Sequence, residues 1–170
     1  EKRRLQRYIA LACVVLVLGA LSVKTFVQCK IWKDSLTLFS EIIRHYPDNW
    51  LALYNRAKTY EQEKKFDLAL ADYSRAIFIN PDYAKAYNNR GAVLLSLGRE
   101  NEALEDLNKT IELNPAFAEA YSNRSVIYLH RRQYELASAD LKRALELQPK
   151  LTNARARLSY LQQLKYDSSK

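Results

Sequence analysis

Three asparagines recur along this chain at one fixed spacing, and each is followed at once by an arginine. These residues, 34 apart within each set, are Asn55, Asn89 and Asn123 with Arg56, Arg90 and Arg124. A primary amide has both donors and an acceptor, so it can pair with a peptide group whatever side chain that peptide carries. A row of them would hold an extended backbone, or each amide could simply bond to the preceding turn. We expect the arginines to pair with acidic residues between neighbouring helices.

The other reactive residue types form no catalytic or metal-binding pattern. His45 and His130 have no Cys, His or carboxylate at the spacing of zinc ligands. Cys13 and Cys29 match neither a metal spacing nor a disulfide framework. The sequence contains no nucleophile–base pair and no glycine-rich phosphate loop. We therefore expect no catalytic residues, no metal and no cofactor in this chain.

The formal net charge of +8 suggests an anionic partner only until it is divided along the chain. Residues 1–49 and 150–170 carry all of the excess, whereas residues 50–149 hold equal numbers of basic and acidic side chains. No basic face runs through the central part, so a nucleic-acid partner is not expected.

The elements that must position the asparagines follow from the same period. All four prolines obey it: Pro47, Pro81, Pro115 and Pro149. A fixed period of 20 to 50 residues indicates an array of repeated two-element units. Apolar residues within each unit have helical spacing, and proline ends the second helix. Small residues recur where two antiparallel helices would approach closely: Ala57, Gly91 and Ser125 in the first helix, Ala69, Ala103 and Ala137 in the second.

This pattern resembles the tetratricopeptide repeat (TPR) family. The resemblance covers three complete units, residues 50–83, 84–117 and 118–151, and a partial unit at 31–49 that contributes one second helix through Trp32, Ser35, Phe39 and Ile42. Residues 152–170 supply a capping helix and tail, which an array needs to cover its last apolar face. The resemblance implies an all-α superhelix, a TPR solenoid, whose concave face is lined by the first helix of each unit and binds peptides or protein segments without catalysis.

On the register of the repeat, eight further residues are expected on the concave face beside the three asparagines. They are Tyr54, Lys58, Lys85, Asn88, Leu95, Ser122, Val126 and Leu129. Three amides at about 0.5–1.5 kcal/mol net each would give only millimolar binding, so apolar contacts must add to them. The two-carboxylate clamp of chaperone-binding repeats is not matched, because Glu119 stands where that clamp has a lysine and would repel the carboxylate.

The first thirty residues predict a membrane-spanning helix. An uncharged run from Tyr8 to Val23 follows a basic flank, and Lys24 can snorkel while the next residues prolong the apolar stretch. A cleaved signal peptide and a buried soluble helix are the alternatives. Basic residues on the two flanks weakly favour a cytoplasmic N-terminus, which puts the repeats on the non-cytoplasmic side of a single-pass membrane fragment.

The leading interpretation is a membrane-anchored interaction module that binds a peptide segment or a partner protein. The chain begins with Glu rather than Met, which indicates a piece of a longer protein. The junction of apolar helix and repeats, residues 29–39, resembles that of polytopic GT-C-like glycosyltransferases, including O-mannosyltransferases with TPR repeats. Such a parent would make this chain the non-catalytic, acceptor-binding end of an enzyme. A third interpretation is a scaffold that forms homo-oligomers.

Overall fold

The computed structural model describes the backbone of residues 35–168 and the side chains of residues 35–164. This part of the chain is all helical. Its eight helices are α1 (Ser35–His45), α2 (Trp50–Gln62), α3 (Phe66–Ile79), α4 (Ala84–Ser96), α5 (Glu100–Leu113), α6 (Ala118–His130), α7 (Tyr134–Leu147) and α8 (Thr152–Ser168). Helices α2 with α3, α4 with α5, and α6 with α7 make the most extensive helix–helix contacts. Each pair is one two-helix unit, and neighbouring pairs stack in chain order.

Each proline lies in a four-residue turn that joins the second helix of one unit to the first helix of the next. The carbonyl of Asn80 accepts a hydrogen bond from the N–H of Tyr83 at 3.3 Å, and that of Asn114 accepts one from Phe117 at 3.1 Å. Proline suits the second position of such a turn, where its fixed φ is allowed and its missing N–H is not needed. The prolines thus set the boundary of every unit.

The turns inside the units share a left-handed residue at the same repeat position. The residues are Lys64 at φ 58°, Gly98 at φ 74° and Arg132 at φ 58°. Only glycine adopts this conformation without a steric penalty, which for other residues is about 1–2 kcal/mol. Two of the three turns therefore carry a residue that the backbone does not favour.

Small residues let the two helices of a unit approach. Ala57, Gly91 and Ala103 are buried, and a Cβ on Gly91 would lie 3.2 Å from the Cγ of Leu107 and 3.4 Å from the carbonyl oxygen of Ala103. At the end of the array, Ala154 and Leu161 of α8 are buried against α7. Helix α8 thus covers apolar residues of the last two-helix unit.

The repeated arginines hold neighbouring units together. In each unit an arginine of the first helix forms a two-bond ion pair with an aspartate of its own second helix, while its third nitrogen, Nη1, donates to the second helix of the preceding unit. The aspartates are Asp72, Asp106 and Asp140, at 2.6–2.8 Å, and the other acceptors are Ser40, Ser74 and Asn108, at 3.3, 3.0 and 2.8 Å. Hydrogen bonding to the aspartate raises the pKa of all three arginines. The predicted pairing between neighbouring helices is confirmed.

The structure describes most of the predicted partial unit but none of the predicted membrane segment. Phe39 and Ile42 of α1 pack against the apolar cluster that includes Leu53 and Ala57 of α2, whereas Trp32 lies outside the described residues. The predicted membrane helix, residues 1–30, also lies outside them. Between residues 35 and 168 no helix is both long and apolar enough to cross a membrane.

Candidate functional site

The candidate site is the surface made by the first helices of the units. Helix α2 contacts α4, and α4 contacts α6, so these three lie side by side. Residues 34 apart therefore form columns that run across the array. We call this the inner surface, defined by the exposed and half-buried residues of α2, α4 and α6. Eleven residues of these helices are predicted to bind a peptide.

Two of the three asparagines donate hydrogen bonds to the preceding unit, at a spacing of 35 rather than 34. Asn89 Nδ2 donates to the hydroxyl of Tyr54 at 3.3 Å, and Asn123 Nδ2 donates to Asn88 Oδ1 at 3.1 Å. Asn55, in the first unit, instead donates to the backbone carbonyl of Leu51 at 2.9 Å. The alternative of a bond to the preceding turn thus holds for Asn55, while the other two connect adjacent units.

The acceptors of this series are buried. Tyr54, Asn88 and Ser122 occupy one repeat position, and all three are largely shielded from solvent. Each receives a hydrogen bond from the residue 35 further along the chain, the last one from Arg157 of α8. The sequence prediction placed Tyr54, Asn88 and Ser122 among exposed contact residues, and the structure corrects this, because their side chains form contacts between units.

The remaining predicted residues stay accessible in part. Asn55, Asn89 and Asn123 are half-buried, Lys58 and Lys85 are exposed, and Leu95, Val126 and Leu129 are half-buried. These eight side chains offer amides, cations and apolar groups on one surface. That combination suits an extended segment, whose backbone needs hydrogen-bond partners and whose side chains need pockets.

The first unit carries a polar cluster that the sequence analysis missed. The hydroxyl of buried Tyr73 donates to Glu61 Oε2 at 2.7 Å and accepts from Asn89 Nδ2 at 3.4 Å. Tyr54 packs edge-on against Tyr83, with ring centroids 5.0 Å apart. Burial raises the pKa of Tyr54 to about 12, and it also raises the pKa of Tyr73. A signal existed, since tyrosine occupies the position at which the next two units have Leu107 and Leu141.

A groove extends the inner surface at its C-terminal end, between α6 and α8. It has a volume of about 410 Å³ and is lined by Val126, Leu129, His130, Tyr134, Arg157, Tyr160 and Leu164. Two of these, Val126 and Leu129, are predicted peptide contacts, so the groove is continuous with the inner surface. We refer to it as the α6–α8 groove.

Within the described residues, no group of three or more His, Cys, Asp or Glu side chains is arranged to hold a metal ion. His130 is instead bonded through Nδ1 to Glu100 at 2.8 Å, and His45 lies beside Glu41 at 3.2 Å. The polar side chains of the described inner surface therefore offer hydrogen bonds and charge to a ligand.

Comparison with known proteins gives a consistent family match. The model of the tetratricopeptide repeat matches residues 50–83, 84–117 and 118–151. The first TPR domain of human RPAP3 is 26% identical, with a TM-score of 0.67, and the alignment covers 72% of this chain and 97% of that one. The first TPR of Spaghetti (RPAP3), bound to the HSP90 peptide SRMEEVD, is 26% identical with a TM-score of 0.66, covering 69% and 93%.

A third similar structure is that of MamA. MamA is 27% identical, with a TM-score of 0.64, and the alignment covers 75% of this chain and 74% of that one. No curated protein sequence matches this chain.

Proposed function

Because this chain belongs to the tetratricopeptide repeat family, we propose that it is a protein-interaction module that binds an extended segment of a partner protein on its inner surface. One observation carries the proposal. Half-buried Leu95, Val126 and Leu129 lie on the same surface as the half-buried asparagines Asn55, Asn89 and Asn123. Apolar burial of about 25 cal/mol per Å² would supply the affinity that a few amide bonds lack. We assign no catalytic step to this chain.

Peptide binding by a similar structure supports this assignment, since the RPAP3 domain is seen with an HSP90 peptide. The identity of the ligand does not carry over. Glu119 is exposed on the inner surface, where a chaperone-type clamp has a lysine, and a carboxylate there repels an acidic chain terminus. We therefore propose a different segment as the ligand.

The experiment is a selection of binding peptides followed by a matched pair of variants. The full chain, in non-ionic detergent micelles, is used to pan a phage-displayed library of random dodecapeptides. Enriched peptides are synthesised, and their Kd is measured for the wild type and for a variant with Lys85→Glu and Leu95→Ser. The control variant carries Lys142→Glu and Leu136→Ser on α7, where Leu136 is exposed.

We expect the inner-surface variant to bind the enriched peptides at least tenfold more weakly and the α7 variant to bind them as the wild type does. Circular dichroism of both variants monitors the helices. Failure to enrich any peptide, or an equal loss of binding in both variants, would contradict binding on the inner surface.

We further propose that residues 1–30 anchor the array to a membrane, with the repeats on the non-cytoplasmic side. The uncharged run of that segment and its basic flanks support the anchor. The junction at residues 29–39 keeps a second candidate open, in which the array is the acceptor-binding end of a polytopic GT-C-like glycosyltransferase. Under either candidate the array contributes binding, so the same inner surface is the functional one.

A further inference from the structure

Arg157 of α8 differs from the other half-buried arginines of the array in its partners. Its Nη1 donates to both the backbone carbonyl and the hydroxyl of Ser122, each at 2.8 Å. Through residue 164, no carboxylate pairs with it, and neither its Nε nor its Nη2 donates to a described residue. The Nε and Nη2 groups of this half-buried guanidinium therefore have no anionic partner in this part of the chain.

The other three half-buried arginines show what the Nε and Nη2 groups bind in this fold. Arg56, Arg90 and Arg124 each use Nη1 for a neutral oxygen of a neighbouring helix. Each uses the Nε–Nη2 edge for both oxygens of an aspartate, at 2.6–2.8 Å. Arg157 reproduces the first half of this arrangement with Ser122. Its Nε and Nη2 groups together can donate two parallel hydrogen bonds to the two oxygens of a carboxylate.

The surroundings of Arg157 favour an anion as well. Burial lowers the pKa of Arg157, and no acidic side chain of residues 35–164 opposes that effect, yet an arginine keeps its charge at any physiological pH. Apolar and aromatic side chains of the α6–α8 groove flank it: Val126, Leu129, Tyr134, Tyr160 and Leu164. His130, which also lines the groove, is bonded to Glu100 at 2.8 Å, and that carboxylate lies 3.7 Å from Arg131. A carboxylate of a ligand would supply the counter-ion that the described residues do not give Arg157.

We propose that Arg157 binds an aspartate or glutamate side chain of the partner segment, with an adjacent apolar side chain of that segment seated in the α6–α8 groove. This inference rests on the proposed function and specifies the chemistry of its ligand. A side chain is favoured over a chain terminus because the groove continues the inner surface through Val126 and Leu129. A segment lying along that surface passes the guanidinium and does not end there.

The test uses three unlabelled nonapeptides of one sequence, titrated calorimetrically into the full chain in non-ionic micelles. The first has a central Glu between leucines with both ends blocked. The second replaces that Glu by Gln, and the third has the central Gln with a free C-terminal carboxylate. The variant is Arg157→Asn, which places there the residue that the repeat itself has at Asn89 and Asn123, so the contact with Ser122 and the fold are retained. The control is Arg155→Asn, since Arg155 is exposed on the same helix and donates to the carbonyl of Pro149 at 2.6 Å.

We expect the wild type and the Arg155→Asn variant to bind the Glu peptide at least tenfold more tightly than the Gln peptide, and Arg157→Asn to bind the two equally. Equal binding of the two peptides by the wild type, persistence of the preference in Arg157→Asn, or no detectable binding of the Glu peptide overturns the carboxylate site. Tighter binding of the free-terminus peptide than of the Glu peptide overturns the assignment to a side chain. Each of these results is compatible with the proposed function if the enriched library peptides still bind more weakly to the variant with Lys85→Glu and Leu95→Ser.

Discussion

The ion pair between Arg90 and Asp106 joins α4 to α5 in the middle of the array, and its removal should weaken the whole array. The two hydrogen bonds, Nε to Oδ2 and Nη2 to Oδ1, are both 2.7 Å long, and the side chains are 23% and 7% exposed. Replacing Asp106 by Asn keeps the shape of the side chain but removes its negative charge. It also replaces one of the two carboxylate oxygens that accept from Arg90 by an amide nitrogen, which cannot accept. A half-buried arginine then remains without its counter-ion.

The magnitude follows from these contacts. A hydrogen bond to a charged group contributes about 1.5–3 kcal/mol, and breaking a fully buried pair costs about 3–5 kcal/mol. Because Arg90 keeps some contact with water, we expect Asp106→Asn to lower the free energy of unfolding by about 2–3 kcal/mol. The third bond, from Arg90 Nη1 to Ser74 at 3.0 Å, reaches the preceding unit. The loss should therefore reduce the coupling between units as well as the stability of one unit.

The assay is urea denaturation of the full chain in non-ionic detergent, followed by circular dichroism at 222 nm. The matched control is Glu102→Gln on the same helix, which removes a partner of Arg99 from a pair whose side chains are 47% and 54% exposed. We expect no measurable change there, because solvent screens such pairs. A double variant, Arg90→Leu with Asp106→Leu, should recover most of the loss. Equal midpoints for Asp106→Asn and Glu102→Gln would refute the electrostatic reasoning, and an equally unstable double variant would assign the effect to packing.

Two further predictions concern the turns and the membrane segment. Replacing Arg132 by Gly should stabilise the chain by up to about 1 kcal/mol in the same urea assay, because φ is 58° there, while Gly98→Ala should destabilise it by about 1–2 kcal/mol at φ 74°. A destabilising Arg132→Gly or a stabilising Gly98→Ala would contradict the account of strain in these turns. If residues 1–30 span the membrane with the array outside the cytoplasm, protease added to intact cells should cleave the repeats; cleavage only after the membrane is opened would reverse the orientation.

The sequence predicted the repeating elements well because each depends on local physics. A proline every 34 residues ends a helix wherever it stands, and Arg90 meets Asp106 because two helices joined by a short turn must lie antiparallel. Contacts between units depend instead on how one unit is rotated on the next. The sequence alone does not show that Asn123 reaches Asn88, 35 residues back, since the column was defined by a spacing of 34. The polar cluster at Tyr73 was missed for a related reason, because its hydroxyl also accepts a hydrogen bond from Asn89 of the following unit.

Each hydrogen bond at a spacing of 35 joins two consecutive units: the later unit supplies the donor and the earlier unit the acceptor. A unit inserted into the array would bring an acceptor for the unit after it and a donor for the unit before it. The number of units can thus change by whole duplications of 34 residues without any compensating substitution in the flanking sequence. At the last junction the donor is Arg157 rather than Asn, so growth by duplication can occur anywhere before α8 while the residue that ends the series stays in place.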